Sequence, residues 1–299
     1  MVSVGIDLGG TKLAACLLRS DGSVLAETTV PTQAWEGPEA VMARMEALIR
    51  EMMERAPERV AAVGIGSPGP LDLKTGVVLS PPNLPGWDRV PLRDRMRAAV
   101  GLPVYLDNDA NAAALAEFRS GAGAGADRMV YVTVSTGIGA GIVIDGRLYR
   151  GETGASGEFG HTSVNAWGEP CRCGNVGCLE NYASGTAIAK RAEAVFGRTM
   201  PAAEVMSRAS EGDQAAKGIV EEAFYALGIG LVNLTKLLNP RRIVIGGGVA
   251  QTGGPMLDTL RRIVNRHCDL EVEIRPAALG TRAGVIGAAL LPWTASEGM

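Results

Sequence analysis

The sequence predicts an α/β protein of two lobes, each built on a βββαβαβ unit. Three observations lead there. The chain has 299 residues, enough for about two domains. Glycine is in excess, 40 residues or about 13% against a usual ~7%, and the excess gathers in discrete loops rather than a low-complexity tract. The pattern of strand, glycine loop, strand and Asp-Gly turn occurs twice, once from residue 2 and again from residue 129, with little residue identity between the copies.

In order along the chain, residues 2–6 form an apolar strand, Gly9-Gly10 a turn, and 12–19 and 23–29 two further strands joined by Asp21-Gly22, which makes a three-stranded meander. Val41, Met45, Leu48 and Met52 recur at helical spacing, and Pro38 suits a first helical position, so 38–55 is an amphipathic helix. Residues 60–65 and 104–106 are buried strands, and the alanine-rich stretch 110–118 starts a helix after Asp109. The second copy opens with a strand at 129–135, the loop Thr136-Gly137-Ile138-Gly139, a strand reaching Ile144, the turn Asp145-Gly146 and another strand. Then follow a helix over 214–238 with Gly228 and Gly230 inside it, a strand at 242–246, a helix over 255–268 and an alanine-rich helix over 283–291. The lobe boundaries expected from this order are 1–108 for a small lobe, completed by a C-terminal helix in 283–299, and 109–282 for a large lobe. Ligands of such folds usually sit in the cleft between the lobes, here a phosphate-binding one.

Composition excludes several function classes. The 29 Lys plus Arg against 32 Asp plus Glu give a net charge of −3, so no overall field attracts nucleic acid or anionic lipid. The arginines at 89, 93, 95 and 97 are interrupted by Asp88 and Asp94 and fit a solvated helix face better than a nucleic-acid contact. The longest uncharged run, residues 129–144, is rich in glycine and shorter than the roughly 18 to 20 apolar residues of a membrane span. Asp7 and Lys12 break any apolar leader, and the expected location is the cytoplasm.

Five segments carry the chemistry. Asp7-Leu8-Gly9-Gly10-Thr11-Lys12 sets an acid at a strand end, two glycines that let backbone N–H groups approach phosphate oxygens, a hydroxyl donor and a compact cation. Asp7 suits a water of a phosphate-bound Mg2+; the plain alternative is a hairpin turn with a solvated lysine. Thr136 and Gly137 occupy the equivalent place in the second copy and read as the partner phosphate loop. Gly247 and Gly248, after the strand at 242–246, allow close approach of a flat ligand such as adenine, or equally close strand–helix packing. Asp107-Asn108-Asp109 falls where a strand meets a helix, so Asp109 can act as the general base that accepts a hydroxyl proton during phosphoryl transfer, while Asn108 or Asp109 caps the helix. His161, Cys171, Cys173 and Cys178 have the spacing H-x9-C-x-C-x4-C; one imidazole and three thiolates make a closed set for structural Zn2+. The second ring nitrogen of His161 would then be available to a substrate hydroxyl. Gly64-Ile65-Gly66-Ser67-Pro68-Gly69 also fits a dinucleotide fingerprint, but that motif needs a helix where Pro68-Gly69-Pro70 makes a turn.

Taken in order, Asp7-Leu8-Gly9-Gly10-Thr11-Lys12, Asn108-Asp109-Ala110-Asn111, Gly157-Glu158-Phe159-Gly160-His161 and Cys171-Arg172-Cys173-Gly174-Asn175-Val176-Gly177-Cys178-Leu179-Glu180 resemble the ROK family of bacterial sugar kinases. The resemblance covers nearly the whole chain. It implies an actin-like, hexokinase-like ATPase (ribonuclease H-like) fold and ATP-dependent phosphorylation of a hexose at the 6-hydroxyl, with glucose first and N-acetylmannosamine or N-acetylglucosamine as the alternative. Asp109 matches the catalytic base, and Asn108, Asp109, Glu158, His161 and Glu180 the sugar-binding positions; Gly69 and Asn83 resemble further sugar contacts. His161, Cys171, Cys173 and Cys178 match the zinc ligands. Asp107 stands where the family often has Glu. The cofactors implied are ATP (with polyphosphate as another donor), Mg2+ and Zn2+, and the partners are the sugar and ATP within a homodimer or homotetramer, without nucleic acid or membrane. The family's repressors carry an added DNA-binding domain for which no room precedes Ile6; a non-catalytic sugar sensor is the rival reading, and an intact base argues against it.

Overall fold

The computed structural model describes residues 1–250 and 254–295. Its contacts divide the chain into two compact units, the first comprising Met1–Ala124, Gly141–Ser156 and Thr281–Met299, the second Gly125–Ala140 and Gly157–Gly280.

In the first unit, β1 (Val2–Leu8), β2 (Lys12–Arg19) and β3 (Val24–Pro31) form the antiparallel meander. Strands β4 (Val60–Ser67) and β7 (Val104–Asn108) join it in parallel, giving the order β3-β2-β1-β4-β7, while β5 (Leu71–Asp72) and β6 (Val77–Val78) make a small separate hairpin. The sheet buries Val4, Ile6, Leu13 and Leu17 together with Val41, Met45, Ile49 and Met52 from the apolar stripe of α1 (Gly37–Glu54). Helix α2 (Leu92–Val100) sinks Leu92, Met96 and Val100 and leaves Arg95 and Arg97 on the solvated face that the interrupted charge pattern suggested, while the half-buried Arg93 donates to the Leu73 and Lys74 carbonyls. Helices α3 (Asp109–Ser120) and α9 (Ala283–Ala295) pack on each other, and α9 lies directly on β1 and β4. That approach depends on glycine: a Cβ at Gly5 would sit 2.3 Å from the carbonyl oxygen of Val285, and one at Gly64 would sit 1.8 Å from that of Ala288. Because α3 packs on α9, the first unit extends past residue 108, the expected boundary, to Ala124, and it also takes in 141–156.

The second sheet runs β10-β9-β8-β11-β12, from β8 (Met129–Val134), β9 (Ile138–Ile144), β10 (Arg147–Tyr149), β11 (Arg242–Gly246) and β12 (Glu273–Pro276); the unit division falls within β9, after Ala140. Around its core lie α4 (Glu180–Ala183), α5 (Gly185–Phe196), α6 (Ala202–Ser210), α7 (Gln214–Leu238) and α8 (Gly254–His267). Asp213 caps α7 by accepting from the N–H groups of Ala215 and Ala216, and Asn239 closes it in the left-handed region at φ 43°. The glycines inside α7 are contact points: a Cβ at Gly228 would meet Ile263 of α8 at 2.7 Å, and one at Gly230 would meet Phe159 at 2.9 Å. The strands placed from the sequence and the long helices agree with the structure to within a few residues, whereas the short strands β5, β6 and β12 and the helices α2, α4, α5 and α6 have no counterpart in the sequence reading, being too short or too poor in apolar positions to give a period. Among the described residues no helix is long and apolar enough to cross a membrane.

Candidate active site

The first unit gathers an acidic group of candidate residues. β1 ends on Asp7, and the turn that follows is closed by Gly9 N–H donating to the Lys12 carbonyl at 3.0 Å and fixed from below by the buried Thr32 hydroxyl donating to the Gly9 carbonyl at 2.7 Å. Thr11 and Lys12 are exposed beside it. Gly10 abuts Asn83, whose backbone oxygen would lie 2.8 Å from a Cβ added there, so the turn and the Asn83 loop approach as only glycine allows. Asn108 is the N-cap of α3, its Oδ1 accepting from Ala110 N–H at 2.9 Å, and Asp109 begins the helix, its Oδ1 accepting from the same N–H at 2.8 Å. A Cβ at Gly69 would lie 3.6 Å from Asn108 Nδ2, which brings the Gly69 turn to the cap.

Asp7 and Asp109 face each other electrostatically. Burial first, then the neighbouring Asp109 carboxylate, push Asp7 up to about 7. Two neighbouring carboxylates beside a glycine turn suit a hydrated divalent cation, whose charge would favour the ionised form of Asp7. On the other side of Asp7, a Cβ at Gly284 of α9 would lie 2.5 Å from its Oδ2, so that glycine leaves the acid its space.

The second unit gathers candidate residues of its own. The Thr136–Gly137 loop is held by α4 and α5: Gly185 N–H donates to the Ser135 carbonyl at 2.7 Å, and the Thr186 hydroxyl donates to the Thr136 carbonyl at 2.8 Å. Glu180, at the start of α4, accepts from Ile138 N–H through Oε2 at 3.0 Å, and the same oxygen would lie 2.5 Å from a Cβ at Gly137. Glu180 is thereby coupled to the loop. Of the later glycines, Gly247 (φ 90°) is packed, since a Cβ would meet the Val134 carbonyl oxygen at 2.3 Å, while Gly248 is exposed with nothing nearer than Ser135 Oγ at 4.0 Å. Gly247 is thus packed against β8, and Gly248 is left open.

His161 stands between two groups. Its Nδ1 is 3.7 Å from Cys171 Sγ and its Nε2 is 3.9 Å from Glu158 Oε2. Cys173 and Cys178 Sγ are 3.6 Å apart, and the four donor atoms lie within 4.8 Å of one another. Zinc with Zn–S of about 2.3 Å and Zn–N of about 2.0 Å separates neighbouring donors by about 3.5–3.8 Å at tetrahedral angles, so this set fits it. Burial, and after it the Cys173 and Cys171 thiols, push Cys178 up to about 12, a proton that a dication would displace. The loop is built for the cluster: Asn175 Nδ2 donates to the His161 carbonyl at 3.0 Å, Cys171 N–H donates to the Asn175 carbonyl at 2.8 Å, and Gly174 takes φ 91°.

A model of the ROK family matches residues 3–294. The chain belongs to the ROK family. The ROK hexokinase of Thermus thermophilus is 40% identical with a TM-score of 0.92, all of both chains being covered. A ROK family glucokinase from Streptomyces griseus, solved in complex with glucose and AMPPNP, is 36% identical with a TM-score of 0.83 over 97% of this chain and 98% of that one. Among curated sequences, the glucokinase of Halalkalibacterium halodurans is 36% identical over 95% of this chain and 92% of its own length. The fold is therefore the actin-like ATPase fold of ROK hexokinases and glucokinases.

In this ROK protein, sequence reasoning missed three residues of the neighbourhood. Arg150 donates from Nε to the buried Asp107 at 2.7 Å, Gly284 makes room for Asp7, and Thr186 holds the Thr136 loop. No local signal marks Arg150 or Gly284, which are 43 and 277 positions from the residues they serve. Thr186 was readable in principle, because Ser184 just before it is a helix N-cap.

Proposed function

We propose that the protein transfers the γ-phosphoryl group of ATP to the 6-hydroxyl of glucose. It is a sugar kinase of the hexokinase type. The observation that carries the finer reading is Asp109, a carboxylate at the first turn of α3 beside Asp7 and the glycine turn after β1. A base for phosphoryl transfer needs that setting: fixed by its helix, near a divalent cation's ligand, and charged when the hydroxyl attacks.

In this reading Asp109 accepts the 6-hydroxyl proton as the oxygen attacks the γ-phosphorus. Asn108, Glu158, His161 and Glu180 hold the ring hydroxyls, with Gly69 and Asn83 as further contacts. The Gly9-Gly10-Thr11 turn, Lys12, Thr136 and Gly137 bind the phosphates, and Gly247 and Gly248 take the adenine side. Asp7 would hold Mg2+ through its water, and the ion would supply positive charge to the phosphate oxygens. Zinc held by His161, Cys171, Cys173 and Cys178 is structural: with Nδ1 turned to the thiols, Nε2 of His161 is directed to a sugar hydroxyl alongside Glu158.

The test is a coupled ADP-release assay with Mg-ATP across glucose, mannose, fructose, N-acetylglucosamine and N-acetylmannosamine at saturating sugar. Highest turnover on glucose supports the reading. Preference for an acetylated sugar replaces it with a hexosamine kinase. No turnover on any, with sugar still bound, makes the protein a sensor or one that uses another donor such as polyphosphate.

A further inference from the structure

Asp107 precedes the Asn108–Asp109 pair and is only 1% exposed. Its Oδ1 accepts from Asn108 N–H and from Asn111 Nδ2, both at 2.8 Å, and its Oδ2 accepts from Arg150 Nε at 2.7 Å. One carboxylate therefore grips the backbone at the helix cap, the Asn111 side chain in the first turn of α3 and a cation from the chain just after β10. Arg150 is 38% exposed on its side chain and lines a cavity of about 970 Å3 with Arg93, Arg97, Tyr105 and Leu291.

We infer that Arg150 is a positioning residue for phosphoryl transfer, fixing the Asn108–Asp109 segment through the buried carboxylate of Asp107. Ion pairs buried at one end are often dispensable for stability, since apolar residues of like volume can replace them. This one is tied to the backbone N–H immediately before the base. With Arg150 gone, the Asp107 carboxylate is left without its cation at a buried site and turns toward solvent, releasing Asn108 N–H and Asn111. The cap rotates and Asp109 moves with it; displacements of about 1 Å in such a group cost up to about a hundredfold in rate. The shorter Asp in place of Glu at 107 fits this arrangement, as its Oδ1 reaches the next backbone N–H directly.

The inference rests on Asp109 being the base, so Asp109→Asn is assayed in parallel. Arg150→Ala is expected to lower kcat about 10- to 100-fold and to leave KM for Mg-ATP within about twofold, while Arg150→Lys keeps most of the rate. Because Arg150 borders an open cavity, millimolar guanidinium chloride should restore Arg150→Ala several-fold at concentrations that do not unfold the wild type. It should do nothing for Asp107→Ala. In an Asp107→Asn background, Arg150→Ala should add little further loss. A fold defect alone would not respond to guanidinium. The inference is overturned if Arg150→Ala turns over within about twofold of wild type, or if its loss is neither rescued nor diminished in the Asp107→Asn background, with Asp109→Asn inactive in either case. An active Asp109→Asn instead overturns the base assignment itself. Should Arg150→Ala be insoluble, Arg150→Gln and Arg150→Lys in the same cycle with Asp107→Asn decide.

Discussion

The two glycine loops occupy the same place, each after the first strand of its meander, yet they are held in opposite ways. Gly9-Gly10 is pinned by backbone and hydroxyl contacts alone and has two carboxylates, Asp7 and Asp109, beside it. Thr136-Gly137 is pinned by a carboxylate, Glu180 accepting from Ile138 N–H, and by Thr186. The duplication thus repeats a backbone shape and not an electrostatic one. Neither acid beside the first loop holds that loop's own backbone, since Asp109 Oδ1 accepts from Ala110 N–H at the start of α3, while the second loop takes one oxygen of Glu180 for its own N–H.

The sharpest way to break this contrast is Asp109→Asn. It should fold, bind sugar and lose about a hundredfold or more in kcat; steady-state turnover together with sugar titration measures it, and near-normal turnover would return the acidic group to a capping role. Next comes the metal in the second unit. Cys171→Ser or Cys173→Ser should lose zinc, read by elemental analysis, and weaken sugar binding by about 10- to 100-fold; full sugar affinity without metal would sever His161 from the zinc argument.

Two alanine substitutions compare the loops directly. Gly10→Ala presses on the backbone of Asn83, and Gly137→Ala on the Glu180 carboxylate, at 2.8 and 2.5 Å from the added Cβ. The first should raise KM for ATP, and the second KM for sugar as well as ATP, each by about tenfold, corresponding to about 1.4 kcal/mol of lost binding; equal effects on both substrates from both variants would erase the difference between the loops.

The remaining prediction concerns stability rather than turnover. Asp7 rises from 3.8 to about 7 on folding, so its contribution is fully present below pH 4 and is lost as pH rises through 7. Asp7→Asn removes that loss. Its thermal midpoint without Mg-ATP should match the wild type near pH 4 and exceed it increasingly from pH 5 to pH 8, by about 2–4 kcal/mol at most. Mg-ATP should stabilise the wild type and not the variant. A constant offset with pH would contradict the shift.

Much of the site was legible because its signals are local. Glycine pairs after apolar strands, an Asn-Asp cap at a strand-to-helix junction and one histidine with three cysteines within 18 residues, counted from His161 to Cys178, are all written in short stretches. Among the helices that escaped notice, α2, α5 and α6 present few apolar positions and depend on their neighbours for stability.

By itself the sequence determined the order of the main strands and long helices, the glycine turns, a helix cap at Asn108 or Asp109 and the cluster of His161 with three cysteines, each set by contacts among residues close along the chain. Only the tertiary structure decided that α3 joins the first unit, that Gly5, Gly64 and Gly284 exist to admit α9 and Asp7, that Glu180 grips the second loop and that Arg150 reaches Asp107. Those contacts join residues tens to hundreds of positions apart, and a single side chain that meets a distant partner leaves no period, spacing or cap in its own neighbourhood to reveal it.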